Sequence, residues 1–228
     1  MIDELLSAYR LKDEPRAGWA LRNVEQPESV ADHSWGTALL SLLHAGEAGV
    51  DAHRSLRIAL VHDIAEAEVG DVPRRVSESD QPMSRAEKTR REERAIARLA
   101  GGPLEKAAEL WREYEEGKSA EALFVRDMNL VDMCLQALYY EQAGRRRTAS
   151  PGATSPGADP DRATGTRRAA GSGPAAPPED DAAPVPAAPE WEALDEFFAT
   201  AEPRLRTAVG HRLYEEIHAR YRQLRGQE

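Results

Sequence analysis

His62 and Asp63 stand side by side in ALVHDIAEAEVGD, residues 59–71, within what reads as an apolar helical run. Burying either side chain without a partner costs several kcal/mol, so a hydrogen-bond network or a metal ion has to compensate. On a helix, neighbours lie about 100° apart and can aim at one point between that helix and the next. Glu66 follows at i+4 from His62 and covers the same patch, and Asp71 comes just past the helix end, beside Gly70. Divalent Mn, Fe, Co and Zn accept imidazole and carboxylate together, so the pattern allows a metal site. The alternative is a histidine buried in the core and satisfied by hydrogen bonds.

An ion needs ligands from a second element. His33, in VADHSW, is the candidate on the preceding helix. His44 shares its face but lies eleven residues on, roughly 16 Å along the axis and too far to share an ion. His53 is about 13 Å from His62, and His211 and His218 are about 10 Å apart, so these histidines read as capping or surface groups.

The elements that must position these groups read as helix after helix. DELLSAYRL carries an apolar face at i, i+3 and i+4. VADHSWGTALLSLLHAGEAG is expected to start at a capping Asp32, and DAHRSLRIALVHDIAEAEVG to run from Asp51 to Gly70. Ser84 and Glu87 form a capping-box pair ahead of the next helix. PLEKAAELWREYEEG, SAEALFVRDMNLVDMCLQALYYEQAG, EWEALDEFFATA and EPRLRTAVGHRLYEEIHARYRQLR complete the series. No alternating β-branched run appears, so no sheet is expected and the fold class is all-α. Residues 149–189 hold nine of the fifteen prolines and almost no large apolar side chain. That composition predicts a disordered insertion between a domain over 1–148 and completing helices over 190–228.

Bulk properties narrow the function. A net charge of −10 over 228 residues excludes wrapping of polymeric nucleic acid, which needs a basic face. The single cysteine, Cys134, excludes an internal disulfide framework or a multi-cysteine zinc site and fits a reducing compartment. The charged N-terminus lacks a signal core and no segment approaches the ~20 apolar residues of a membrane span, so a cytoplasmic protein without membrane partners is expected.

Three separated blocks carry a resemblance: RAGWALRNVEQPESVADHS, HDIAEAEVGDVP and AEALFVRDMNLVDMCLQALYYE. In this order and spacing they resemble the HD-domain superfamily, and within it the 5′-deoxynucleotidases. The resemblance implies an HD-domain helical bundle with one metal site between helices. It also implies hydrolysis of (deoxy)nucleoside 5′-monophosphates and a homodimer. By resemblance, His33, His62 and Asp63 hold a divalent cation (Mn, Co, Fe, Zn or Mg), and Glu66 and Asp71 match the family's two further acidic residues and are the expected catalytic pair, one taking a proton from water and one protonating the leaving oxygen. The family's fourth ligand, an aspartate, falls on Asn129 here. Three readings of that departure stay open: Asn129 as a weak ligand, Asp132 one turn on as a substitute, or a site that binds no metal. Arg16, Trp19, Arg22 and Lys88 are the substrate contacts that the resemblance implies. The rivals are a catalytically impaired nucleotide-binding HD protein and an HD hydrolase acting on another phosphorylated metabolite.

Overall fold

In the computed structural model, the described residues are 2–77, 81–100, 102–145 and 194–226. The expected insertion at 149–189 lies outside them. Among the described residues, ten α-helices follow in order: α1 Ile2–Tyr9, α2 Ala17–Ala20, α3 Val30–Ala48, α4 Ala52–Val61, α5 Glu66–Val69, α6 Arg85–Leu99, α7 Glu105–Glu116, α8 Ala120–Gln142, α9 Asp195–Ala201 and α10 Ala208–Arg225. Among the described residues there is no strand, only one isolated bridge between Pro15 and Ser29. No described helix is long and apolar enough to cross a membrane.

The helix ends follow local chemistry. Ser29, not Asp32, caps α3: its hydroxyl accepts from the Asp32 N–H while the Asp32 carboxylate returns a bond to the Ser29 backbone. The expected cap is thus the third helical residue, the acidic half of a capping box. Gly49 ends α3 at φ 69°, a left-handed conformation in which glycine carries no Cβ penalty. Asp51, Ser84, Ser119 and Thr207 cap α4, α6, α8 and α10 through their side chains.

Helix α8 is the spine. It packs against α3, α4, α7, α9 and α10. Its inner faces bury Phe124, Val125, Met128, Leu130, Val131, Ala137 and Leu138 in the main core. α3 lies along both α4 and α8, so one face of α3 looks into the seam where α4 ends. The helix expected over residues 202–225 is interrupted. Glu202–Arg204 form a 3₁₀ turn, and α10 restarts only after Thr207.

The helix expected from Asp51 to Gly70 breaks as well. α4 ends at Val61, and His62 and Asp63 stand in the turn that leads to α5. The His62 ring Nδ1 sits 2.8 Å from the Ala59 carbonyl, the acceptor that the Asp63 N–H would use in a continuing helix. Beyond that point the chain tightens to i→i−3 bonds, Ile64 to Val61 at 3.1 Å and Glu66 to Asp63 at 2.9 Å.

One buried acid anchors the C-terminal helices. Asp127 on α8 accepts from the Arg206 N–H at 3.0 Å, the Thr207 N–H at 2.6 Å and the Thr207 hydroxyl at 2.7 Å. Gly210 is needed beside it, because a Cβ there would collide with the same carboxylate. Asp127→Ala should destabilise the protein by about 3 kcal/mol, leaving three donors unmatched. Urea unfolding checks the loss, and thermal unfolding should show a midpoint lower by about 6–12 °C.

Candidate metal centre

Two elements bring His33, His62 and Asp63 together. His33 comes from the first turn of α3, and the other two from the turn after α4. Their ligand atoms all lie within 4.8 Å of one another. His62 Nε2 is 3.1 Å and His33 Nε2 3.7 Å from Asp63 Oδ2. The two imidazoles meet edge to face, with centroids 5.3 Å apart.

The far side of each ring fixes its tautomer. His62 Nδ1 faces a carbonyl, which can only accept, so that nitrogen carries the proton. His33 Nδ1 faces Asp132 Oδ2 at 2.7 Å. Burial pushes the Asp132 carboxyl up to about 7; above that pH it is a carboxylate and likewise only accepts. Burial, aided by Arg16, pulls the His33 imidazole down to about 3, so the ring is neutral. Both Nε2 atoms therefore present lone pairs. They and Asp63 Oδ2 are buried without any hydrogen-bond partner. Three converging lone pairs with no proton among them suit a cation, and the two-imidazole, one-carboxylate donor set suits a divalent metal.

Asp132 is thus not brought in as a ligand alongside His62 and Asp63; it orients His33 from behind. Gly36, three residues after His33, makes room for it, since a Cβ at 36 would fall on the Asp132 carboxylate. The glycine one turn after a candidate ligand was the available signal for this contact. Glu28 lies near the same pair, with its Oε1 accepting from the Trp19 indole N–H at 2.9 Å.

Arg16 reaches the centre by way of the Pro15–Ser29 bridge. Arg16 donates its backbone N–H to Glu28 at 3.0 Å, and Val30 donates to Glu14 at 2.9 Å, which pins the segment to the start of α3. The guanidinium then lies 3.2 Å from Asp71 Oδ1 and 3.6 Å from Asp63 Oδ2. Asp71 Oδ2 accepts from the Ala17 N–H at 2.6 Å. Both Asp71 oxygens are engaged, so this residue caps α2 and holds Arg16. Burial alone would raise the Asp63 carboxyl, yet the Arg16 guanidinium beside it helps to hold it well below the usual carboxylate range.

Glu66 is buried on the other flank. Its Oε1 receives Lys88 Nζ at 3.2 Å, while Oε2 has no partner. Lys88 also meets Glu92 at 3.2 Å. Burial, reinforced by Asp63, raises the Glu66 carboxyl well above its ordinary value.

Two expected substrate contacts are placed differently. Trp19 is 1% exposed, with Phe197 at 3.9 Å and Tyr140 at 5.2 Å between ring centroids, so no indole face is open for a base or sugar. It is a packing residue of the core. Arg22 pairs with Glu196 on α9, which also receives Arg75, and offers no free fork to a phosphate. Asn129 turns its amide to the Tyr114 hydroxyl at 2.8 Å, and Tyr114 packs 5.1 Å from the His62 ring. Tyr114 was not singled out from sequence, because it lies in a distant helix with an unremarkable pattern.

A family profile described as HD domain matches residues 8–151. The 5′-deoxynucleotidase HDDC2 of Bos taurus is 44% identical over 136 residues, covering 58% of this chain and 63% of that protein. The 5′-deoxynucleotidase hdd1 of Schizosaccharomyces pombe is 36% identical over 141 residues, covering 58% and 68%. The chain therefore spans somewhat under two thirds of the bovine relative's length. A crystal structure of a Pyrococcus horikoshii OT3 protein superposes with a TM-score of 0.63 at 28% identity, covering 97% of this chain and 99% of that one.

Glu66 gives this centre a testable pH signature. A carboxyl raised above its unfolded value of 4.5 binds its proton more tightly when folded, so the folded state loses relative stability as pH rises beyond that value. Glu66→Gln removes the titration. In metal-free protein the variant should gain on wild type steadily from about pH 5 upward. Thermal midpoints of the two proteins across that range, in chelator, check the sign; a gap that stays constant with pH contradicts it.

Proposed function

Because the chain belongs to the HD-domain family, on the branch of its curated 5′-deoxynucleotidases, we propose that it is a metal-dependent phosphohydrolase acting on (deoxy)nucleoside 5′-monophosphates. The observation that carries this reading is the meeting of His33 Nε2, His62 Nε2 and Asp63 Oδ2, three buried lone-pair atoms without a donor. These three residues would hold the cation. Two imidazoles favour Mn, Fe, Co or Zn over Mg, which prefers oxygen ligands. A divalent ion supplies Lewis acidity toward phosphate and makes water more acidic near neutrality.

The chain's own residues divide the remaining work. Arg16, held by Asp71 and Asp63, directs positive charge to the centre, and Lys88 does so from the Glu66 side. Both suit the phosphate of the substrate. Glu66 Oε2, unpartnered, accepts a proton from the attacking water as its oxygen bonds to phosphorus. The bond from phosphorus to the 5′ oxygen breaks, and the same carboxyl returns the proton to that leaving oxygen. Asp71, with both oxygens occupied, serves by holding Arg16 rather than by carrying a proton. Asn129, engaged with Tyr114, offers at most a neutral carbonyl as a fourth donor, which leaves the ion's charge less neutralised than an aspartate would.

A homodimer belongs to this reading. Trp35, Leu39, Leu42 and Leu43 on α3, with Leu135 and Tyr139 on the adjacent α8, form an exposed apolar face that a second copy would cover. A cytoplasmic location, fitting the buried free thiol of Cys134, is also part of it.

The departure at Asn129 supports a second reading, a nucleotide-binding protein without turnover. Phosphate release from deoxynucleoside 5′-monophosphates with Mn or Co, together with metal content by mass spectrometry, separates the two. Wild type should bind metal and release phosphate, and Asp63→Ala should lose both. Glu66→Gln should retain metal while kcat falls by about 10²–10⁴-fold. Asn129→Asp should tighten metal binding by about 10–100-fold. Turnover found in Asn129→Asp alone favours the second reading, and turnover that survives Asp63→Ala removes the assigned centre.

A further inference from the structure

Glu196 reaches two segments of the centre from α9, a helix outside residues 8–151 that the HD-domain profile matches. Its Oε2 accepts from Arg22 Nε at 2.9 Å, just past the end of α2. Its Oε1 accepts from Arg75 Nε at 2.8 Å and from the Val76 N–H at 3.4 Å, in the loop that follows Asp71. Glu196 is buried, and Arg22 and Arg75 are mostly so. Burial works to raise the Glu196 carboxyl, but the bonds from Arg75 and Arg22 hold it below its ordinary value, so the group is ionised. One buried carboxylate thus neutralises two guanidiniums and joins two segments distant in sequence.

The other ends of the same two segments meet at the centre. Asp71 Oδ2 accepts at 2.6 Å from the N–H of Ala17, the first residue of α2, and Asp71 Oδ1 lies 3.2 Å from the Arg16 guanidinium. α2 and the loop over 71–76 therefore form a closed frame, pinned by Asp71 at one end and by Glu196 at the other. The frame is filled. Phe197, next to Glu196, packs on Trp19 with ring centroids 3.9 Å apart, and a Cβ at Gly18 would stand 3.3 Å from the Phe197 ring and 3.7 Å from Pro73. α2 is a single turn of four residues, too short to hold its place by its own hydrogen bonds. Its placement, and with it that of Arg16 at its N-terminal edge, comes from the two carboxylates. Bonds from a guanidinium weaken steeply with small misplacements, so a brace at the far end of the frame bears on the near one.

We propose that Glu196 is a positioning residue of the phosphate-binding arm: by tying Arg22 to Arg75 and Val76 it fixes Asp71 and Arg16 relative to the metal centre. The assignment rests on the phosphohydrolase reading, in which Arg16 meets the substrate phosphate. It gives α9, which follows the proline-rich segment, a part in substrate binding without any contact to the substrate.

Calorimetric titration with dAMP tests it, on the full chain loaded with Mn and carrying Glu66→Gln so that turnover is slow. Adding Arg16→Gln should weaken dAMP binding by about tenfold or more. Adding Glu196→Gln instead should weaken it about three- to tenfold and leave Mn affinity within about twofold. Placed on top of Arg16→Gln, the same substitution should cost less than about a further twofold, because its effect runs through Arg16. Arg75→Gln, which leaves Arg22 paired, should behave in the same way and carries the cycle if Glu196→Gln does not fold. Unchanged dAMP affinity in both variants, or a loss that adds in full to that of Arg16→Gln, overturns the positioning role; so does dAMP affinity that does not depend on Arg16. Phosphate release by the wild type is scored separately. Coupling of Glu196 to Arg16 in a protein that never releases phosphate supports the brace and sinks the catalytic reading, and release without that coupling does the reverse.

Discussion

Two imidazole nitrogens and a carboxylate oxygen aimed at one another, with no proton to share, are an electrostatic arrangement that a folded chain does not keep for its own stability. Each nitrogen is forced into that role from behind. The Ala59 carbonyl accepts a hydrogen bond from the His62 Nδ1–H, and Asp132 faces the other ring at 2.7 Å. Both rings are fully buried, so water does not relieve the lone pairs. The local structure gives up helix continuity for this: α4 ends where the His62 ring captures a backbone carbonyl. Gly36 gives up a side chain so that Asp132 can approach. These concessions make sense when the centre is filled by a cation and are unfavourable when it is empty.

The same economy explains the acidic residues around it. Asp63, Asp71 and Glu66 occupy one small region, which would be repulsive if each were free. Arg16 lies between Asp63 and Asp71, and Lys88 between Glu66 and Glu92. Buried charges paired in this way are rigid, because breaking either pair strands an ion in a poorly solvated site. Rigidity serves a centre whose attacking water and scissile phosphate must be held within fractions of an ångström.

Much of this was legible from residue types alone. Helix periodicity and capping residues located the elements, and the His-Asp pair with Glu66 at i+4 located the centre. The misreadings share one cause, long-range packing that local pattern does not encode. Trp19 reads equally well as a stacking platform or a core anchor, and the decision falls to Phe197, 178 positions away in sequence. Arg22 looks free until Glu196 arrives from α9. Asp132 was readable as a group near the ion, but whether it reaches the metal or the back of His33 depends on how closely α3 and α8 approach, which Gly36 decides. The break after Val61 was hidden because a 3₁₀ turn keeps nearly the same apolar spacing as the helix it ends.

An acidic chain that gathers cations at one buried centre presents an apparent contradiction, which distance resolves. The net charge of −10 is spread over the surface, and its field decays within roughly 8 Å at physiological salt. Inside that range Arg16 and Lys88 stand at the centre. Carboxylates near the centre have cationic partners already in place. Burial sharpens the contrast, because a partly desolvated guanidinium attracts an anion more strongly than an exposed one. Wrapping polymeric nucleic acid, by contrast, needs an extended basic face, which a net charge of −10 does not favour.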